Sequence, residues 1–239
     1  MDFTYLNRNL SRVRAELDAS ARAGGYDPAA VTLMAAIKSA DVEEINHLHR
    51  TLGVDAVGEN RVQQLLERYD RLDREGLSIH FIGSLQTNKV KYIIDKVDMI
   101  QSLDSERLAR EIERQAARIG RVMDVLLEIN SGGEEAKGGL LPEAVEPLAR
   151  LITGGEFPHL RLRGFMTMAP RCTEEEYHGY FAATRTLGAR LWAELTAEGR
   201  VTGEMVLSMG MSESYRPAAA EGATLVRVGR GLFCKDGTP

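Results

Sequence analysis

Short apolar, β-branched runs recur eight times along this chain, and a stretch with helical spacing separates each from the next. The runs are VTLMAAIK (31–38), DAVGEN (55–60), IHFIG (79–83), DMIQSL (98–103), MDVLLEIN (123–130), LRLRGFMTM (160–168), EMVLSMG (204–210) and TLVRVG (224–229). Few folds accommodate that rhythm. The runs are continuous rather than strictly alternating, so both faces of each strand are expected to be covered, as in a parallel sheet flanked by helices. Eight strand–helix units closing on themselves make a single (β/α)8 TIM barrel, with a doubly wound open sheet as runner-up. The 239 residues suit one such barrel and contain no linker, charge block or low-complexity stretch, so residues 1–239 are expected to form a single domain. An extra helix over about 5–23 precedes the first strand and is expected to cap the bottom of the barrel. Asp104 is expected to cap the helix over 104–119, and Pro142 to lie in the first turn of the one after it.

Charge and composition narrow the partners. The net charge is −5, from 30 basic and 35 acidic residues, which argues against a polyanion-binding surface, so no nucleic acid is expected. No run of about 20 apolar residues is present, so no membrane span is expected. The opening MDFTYLNRNLSRVRAEL carries acids and lacks an apolar segment, unlike a signal peptide. Cys172 and Cys234 lie far apart and form no metal or redox spacing, which points to a reducing cytoplasm. His47 and His49 are two apart on a helix and do not share a face, so no metal is expected there.

Barrel chemistry lies at the carboxyl ends of the strands. The first run ends at Lys38, the second at Glu59 and Asn60. Gln86, Asn88 and Lys89 follow the third, and Asn130, Glu134 and Lys137 follow the fifth. The Glu134–Glu135 pair is expected to be solvated. The seventh and eighth end in SMGMS and RVGRG, which place Ser208, Met209, Gly210, Ser212, Arg227, Gly229 and Arg230 on adjacent loops. An amine withdrawn from water gives up its proton more readily, and a neutral amine can form a Schiff base with a carbonyl. Such an amine is the reading offered for Lys38; the plainer one is a lysine whose stem packs and whose head reaches water. The loops after strands 7 and 8 of such barrels frequently bind phosphate through backbone N–H groups, aided here by the helix expected near Ser212 and by Arg230. An aldehyde-seeking lysine opposite a phosphate cup suggests a ligand carrying both groups. Pyridoxal phosphate (PLP) is one and a sugar phosphate is another. His80 opens the third strand at its amino end and is expected to be structural, and Trp192 to pack the long helix over 173–199 onto the barrel.

AIKSA, GENRVQQ, HFIGSLQTNK, SLD, EINSGGEEAKGG, RGFMTMAP, LSMGMS and VRVGRGLF occur in one order over about residues 5–235. In this the chain resembles the pyridoxal-phosphate homeostasis proteins. The resemblance implies a barrel like the amino-terminal half of alanine racemase, without that enzyme's second, β-rich domain. It implies PLP held on Lys38 as an internal aldimine and a role in keeping PLP and vitamin B6 pools balanced, with no established turnover. By position it implies Asn60 beside the cofactor ring, Ser208, Met209 and Ser212 near the phosphate, Arg227 at the pyridine nitrogen, and Gly229 and Arg230 completing the cup. Lys137 matches a lysine near the mouth that handles PLP in transit. The chain departs from the pattern at Ala40 and Asp41, where many members have a second lysine and then a proline. It departs again at Arg61 in place of tyrosine and Arg230 in place of threonine.

An arginine at the pyridine nitrogen cannot accept a proton, so carbanion stabilisation by the ring would be weak. Among Tyr5, Tyr177, Tyr180 and Tyr215 no pair of opposed acid/base groups stands out, and each is expected to be packing or surface. The expectation is a PLP carrier serving apo PLP-dependent enzymes, monomeric, with a dimer left open. The alternatives are a racemase-type PLP enzyme and a cofactor-free Schiff-base aldolase or isomerase acting on a sugar phosphate.

Overall fold

The computed structural model describes residues 2–133 and 138–235. Eight parallel strands close into a barrel in chain order: β1 Thr32–Ala36, β2 Ala56–Glu59, β3 Ser78–Phe81, β4 Met99–Leu103, β5 Met123–Ile129, β6 Leu160–Thr167, β7 Val206–Ser208 and β8 Leu225–Val228. β8 pairs back onto β1 with Thr32 beside Leu225 and Ala35 beside Val228. The eight apolar runs therefore each became a strand, and the open-sheet alternative is excluded.

The helices are α1 Thr4–Ala23, α2 Val42–Leu52, α3 Val62–Arg68, α4 Val90–Ile93, α5 Glu106–Arg118, α6 Pro142–Leu151, α7 Glu174–Ala197, α8 Tyr215–Ala220 and α9 Arg230–Phe233. Local chemistry sets their ends. Asp41 caps α2 in a reciprocal box with Glu44, and Gly53 closes that helix in the left-handed region. Thr173 and Glu176 form the same box at the start of α7, where three glutamates face the helix dipole. Pro142 opens α6 as expected. The cap of α5 is Ser105, which accepts from Leu108 N; Asp104 stands one residue earlier and accepts from Ser105 Oγ. Two candidate cap residues in a row let the chain choose the one whose oxygen reaches the third amide.

The first helix does not cap the bottom. It lies on the outer wall against α8, α9 and α2. The reason is the short eighth unit: α9 has four residues, too few to cover β8 and β1. Leu6, Leu10, Val13 and Leu17 of α1 bury their side chains in that gap and complete the ring of helices. The bottom is left with a cavity of about 600 Å³, lined by Thr32, Ala56, Ser78, His80, Met99 and Leu225 from the strands and bordered by Arg14, Leu17 and Asp18 of α1. Trp192 is buried on α7 and donates to Gly203 O, as a packing residue should.

Inside the barrel, Met34, Ala56 and Leu225 form one small apolar layer and Met99, Leu126 and Met166 another. Above and between them lie buried polar side chains: His80, Gln101, Glu128, Ser208 and Arg227. Among the described residues no helix is long and apolar enough to cross a membrane.

Candidate functional site

At the carboxyl ends of the strands a cavity of about 440 Å³ opens, lined by residues from the loops after β1, β2, β3, β6, β7 and β8. Lys38, Asn60, Ser212, Arg227, Gly229 and Arg230 all line it. Six of the eight residues singled out from sequence thus meet in one place, although up to 192 positions separate them in the chain. The walls carry four cations, Lys38, Arg171, Arg227 and Arg230, against one carboxylate, Glu213. In a protein of net charge −5 this is a local positive basin suited to an anion.

Lys38 is exposed rather than sheltered. β1 ends at Ala36, and the last ladder bond is Ile37 N to Gly58 O, at 3.0 Å. Ile37 is fully buried, and Lys38 follows it into the loop at the cavity rim. That loop is pinned: Arg68 Nη1 donates to Ile37 O at 2.7 Å. Ala40, where a second lysine was missing, is buried, and Asp41 serves as the cap of α2.

Asn60 is set by its neighbour. The Glu59 carboxylate is fully buried at the end of β2, accepts from Asn60 N and Arg61 N, and lies 3.2 Å from Arg68 Nη1. Burial raises the Glu59 pKa despite Arg68, so desolvation outweighs the ion pair. The Asn60 Oδ1 atom is buried and has no hydrogen-bond partner among the described residues. A buried polar atom left open in a cavity wall marks a place for a ligand group.

The loops after β7 and β8 are tied by one hydroxyl. Ser212 Oγ accepts from Gly229 N at 3.1 Å and Gly231 N at 3.2 Å. A Cβ on Gly229 would sit 3.1 Å from Ala36 O, so a larger residue would push the two strand ends apart. Gly210 turns the chain after β7 at φ +87°, and a Cβ there would meet Ala218 Cβ at 2.6 Å. The helix expected near Ser212 is α8, which starts only at Tyr215.

Arg227 is 2% exposed, yet its guanidinium reaches the cavity floor. Nη1 donates to Ser208 Oγ and Nη2 to Thr167 O at 2.8 Å. Burial pushes its pKa down to about 10, opposed by Glu128, and it stays charged at neutral pH. Glu128, buried on β5, is pushed up to about 7 by burial, with Asp104 adding to the effect and Arg227 opposing it.

Two expected residues fall elsewhere. Ser208 is fully buried in the barrel interior, where it holds Arg227 and does not line the cavity. Met209 is fully buried in the main core. β7 is only three residues long, and alternation points Ser208 inward and Met209 out to the helices. Gln86, Asn88 and Lys89 are also absent from the cavity wall. Lys137 and the Glu134–Glu135 pair lie outside the described residues.

The sequence reading missed Arg171, Glu213 and the role of Tyr177. Glu213 accepts from both Arg171, at 3.2 Å, and Arg230, so Arg230 is engaged at the mouth rather than free. Arg171 and Glu213 lie four and five residues past the ends of β6 and β7, and extending the strand-end search by that much finds them. Tyr177, on α7, is buried and lines the cavity, and burial raises its phenol pKa. Tyr5 and Tyr215 instead bond Glu44 and Glu16.

Known proteins match this chain over nearly all of its length. A family profile described as "Alanine racemase, N-terminal domain" matches residues 8–236. The pyridoxal phosphate homeostasis protein of Aquifex aeolicus is 40% identical over 94% of this chain and 95% of its own. PipY of Synechococcus elongatus PCC7942, solved with PLP bound, is 33% identical, covers 92% of this chain and 99% of its own, and superposes with a TM-score of 0.75. Alanine racemase from Corynebacterium glutamicum is 17% identical with a TM-score of 0.68, and the match takes in 61% of that enzyme, a likeness of fold alone. With a closed barrel, a positive cavity over its carboxyl rim and matches of this length, the chain belongs to the pyridoxal phosphate homeostasis proteins, within the alanine racemase N-terminal domain family.

Proposed function

We propose that this protein binds PLP in the upper cavity and serves as a carrier that keeps intracellular PLP balanced. The observation that carries the reading is that Lys38 shares one cavity with Ser212, Gly229, Arg227 and Asn60. The residues present fit the group. The unpartnered Asn60 Oδ1 offers a polar contact at a ring edge, the glycine at 229 leaves room beside Ala36, and the surplus of cations suits a phosphate. When bound, PLP supplies an aldehyde for the Lys38 amine and an electron-accepting ring.

The chain's own residues favour holding over turnover. Arg227 would hold the ring nitrogen as a donor and, keeping its own protons, would leave that nitrogen unprotonated. Racemisation needs two proton carriers on opposite faces of a substrate. Tyr177 is the tyrosine that reaches the cavity among the described residues, and its buried phenol keeps its proton at neutral pH. Arg171 and Arg230, sharing Glu213, form the rim through which the phosphate enters and leaves. Apo PLP-dependent enzymes in the cytoplasm are the recipients this reading expects.

The test is the absorption spectrum of the purified protein, expected to show a band near about 420 nm for a lysine-bound PLP. Borohydride should fix the cofactor, with mass mapping to Lys38, and Lys38→Ala should abolish both signals. A modified residue other than Lys38 overturns the site, and racemisation of L- or D-amino acids at an enzymic rate overturns the carrier role.

A further inference from the structure

A line of side-chain hydrogen bonds crosses the barrel interior from the upper cavity to the lower one. Arg227 Nη1 donates to Ser208 Oγ, and Ser208 Oγ donates to Gln101 Oε1 at 2.7 Å. Gln101 Nε2 lies 2.8 Å from His80 Nδ1, and His80 Nε2 lies 2.9 Å from Ser78 Oγ. The five side chains come from β8, β7, β4 and β3. Ser208 and Gln101 are fully buried, and Arg227 and His80 nearly so. Arg227 lines the upper cavity, while His80 and Ser78 line the lower one.

The direction of every bond follows from the first. A guanidinium only donates, so Ser208 Oγ must accept from Arg227 and spend its own hydrogen on Gln101 Oε1. The Gln101 amide then turns its NH2 toward His80, and Nδ1 accepts. The imidazole proton is left on Nε2, where it donates to Ser78. Burial holds His80 neutral, pushed down to about 4, so one ring nitrogen is free to accept. A buried polar network with every member satisfied and one sense of donation fixes geometry sharply.

We propose that Gln101, His80 and Ser78 are positioning residues for Arg227, holding the guanidinium in the orientation that meets the ligand and coupling the lower cavity to the upper. The proposal rests on the reading of the upper cavity as a PLP site. Two of the guanidinium's five donors are committed inward, to Ser208 and Thr167, and the chain beneath Ser208 keeps that commitment in place. The remaining donors then face the cavity without rearrangement when PLP arrives.

Histidine-labelled protein tests this by nitrogen NMR. Without PLP, His80 is expected as a single neutral form protonated at Nε2. Ser208→Ala, which touches only the upper end of the line, should turn this into a mixture of tautomers, as should Gln101→Leu. With PLP added, the His80 signals of the unmodified protein should move. In Gln101→Leu the borohydride adduct on Lys38 should persist, PLP binding should weaken about tenfold, and PLP should no longer move His80. Should Gln101→Leu fail to fold, Ser78→Ala, at the far end beside the lower cavity, is expected to weaken PLP about threefold. A His80 tautomer unchanged in Ser208→Ala, or still when PLP binds, overturns the proposal. Absence of a PLP adduct in the unmodified protein would instead overturn the PLP reading, while the tautomer measurements still decide the line itself.

Discussion

Replacing Glu128 with glutamine is expected to leave the protein unchanged below about pH 4.5 and to stabilise it increasingly as pH rises from there to about 7. The carboxyl is 4% exposed and faces Arg227 and Asp104 inside the barrel. It keeps its proton in the folded protein up to about pH 7, whereas an unfolded chain releases it near the ordinary value of 4.5. Folding therefore takes up a proton between those two values. The stability that this provides is complete below about pH 4.5 and is lost as pH rises through about 7. A gap of about 2.5 units at about 1.4 kcal/mol per unit makes the loss about 3 kcal/mol by pH 8.5. The attraction of Arg227 is already contained in that gap. Glutamine has the same shape and no proton to release, so Glu128→Gln escapes the loss. Urea midpoints of both proteins at pH 4.5, 6, 7 and 8.5 measure it: the difference between them should start near zero and grow with pH. A difference that is constant across that range, or that favours the wild type above pH 7, would refute the reasoning, because it would mean the carboxylate is at home beside Arg227.

Three further outcomes follow from the same geometry. Glu213→Gln releases Arg230 and Arg171 from their shared carboxylate and should tighten binding of PLP about threefold, an exposed ion pair being worth up to about 1 kcal/mol; unchanged or weaker binding in a PLP titration would count against Arg230 as a phosphate contact. Gly210→Ala places a Cβ against Ala218 and Tyr215 at a positive φ, and a destabilisation of about 2 kcal/mol with weaker PLP binding is expected from thermal melts and titration. Leu10→Ala in α1 should cost about 3 kcal/mol, as for any well-packed core leucine; a loss below about 1 kcal/mol would show that α1 is dispensable to the ring.

The sequence carried the barrel because its signal is repeated: eight apolar runs of strand length, each too short for a helix and each followed by helical spacing. The carboxyl ends of strands are recognisable without coordinates, which is how Lys38, Asn60, Arg227 and Gly229, now found on one cavity wall, could be picked out. What failed were details that depend on where a strand stops. β7 is three residues long and ends at Ser208, and alternation at that end points Ser208 to the barrel axis and Met209 to the core. β1 stops two residues short of Lys38, so the lysine is exposed at the rim. The place of α1 depended on the shortness of α9, and a run of helix-formers in a sequence does not say which neighbour it will lie against. Gln101 sits in the middle of an apolar strand, and nothing in DMIQSL marks it as the link between Ser208 and His80.

The position of α1 has a consequence for how the molecule is made. The helix is synthesised well ahead of the surfaces it packs against, α8 and α9. At about 5–20 residues per second, on the order of ten to forty seconds separate the two events. Through that interval Leu6, Leu10, Val13 and Leu17 have no final resting place. The last seam of the ring is sewn by residues nearly the full chain apart, the kind of long-range contact that slows folding. A nascent chain of this design therefore keeps an apolar stripe uncovered until its eighth strand and the short helix after it arrive.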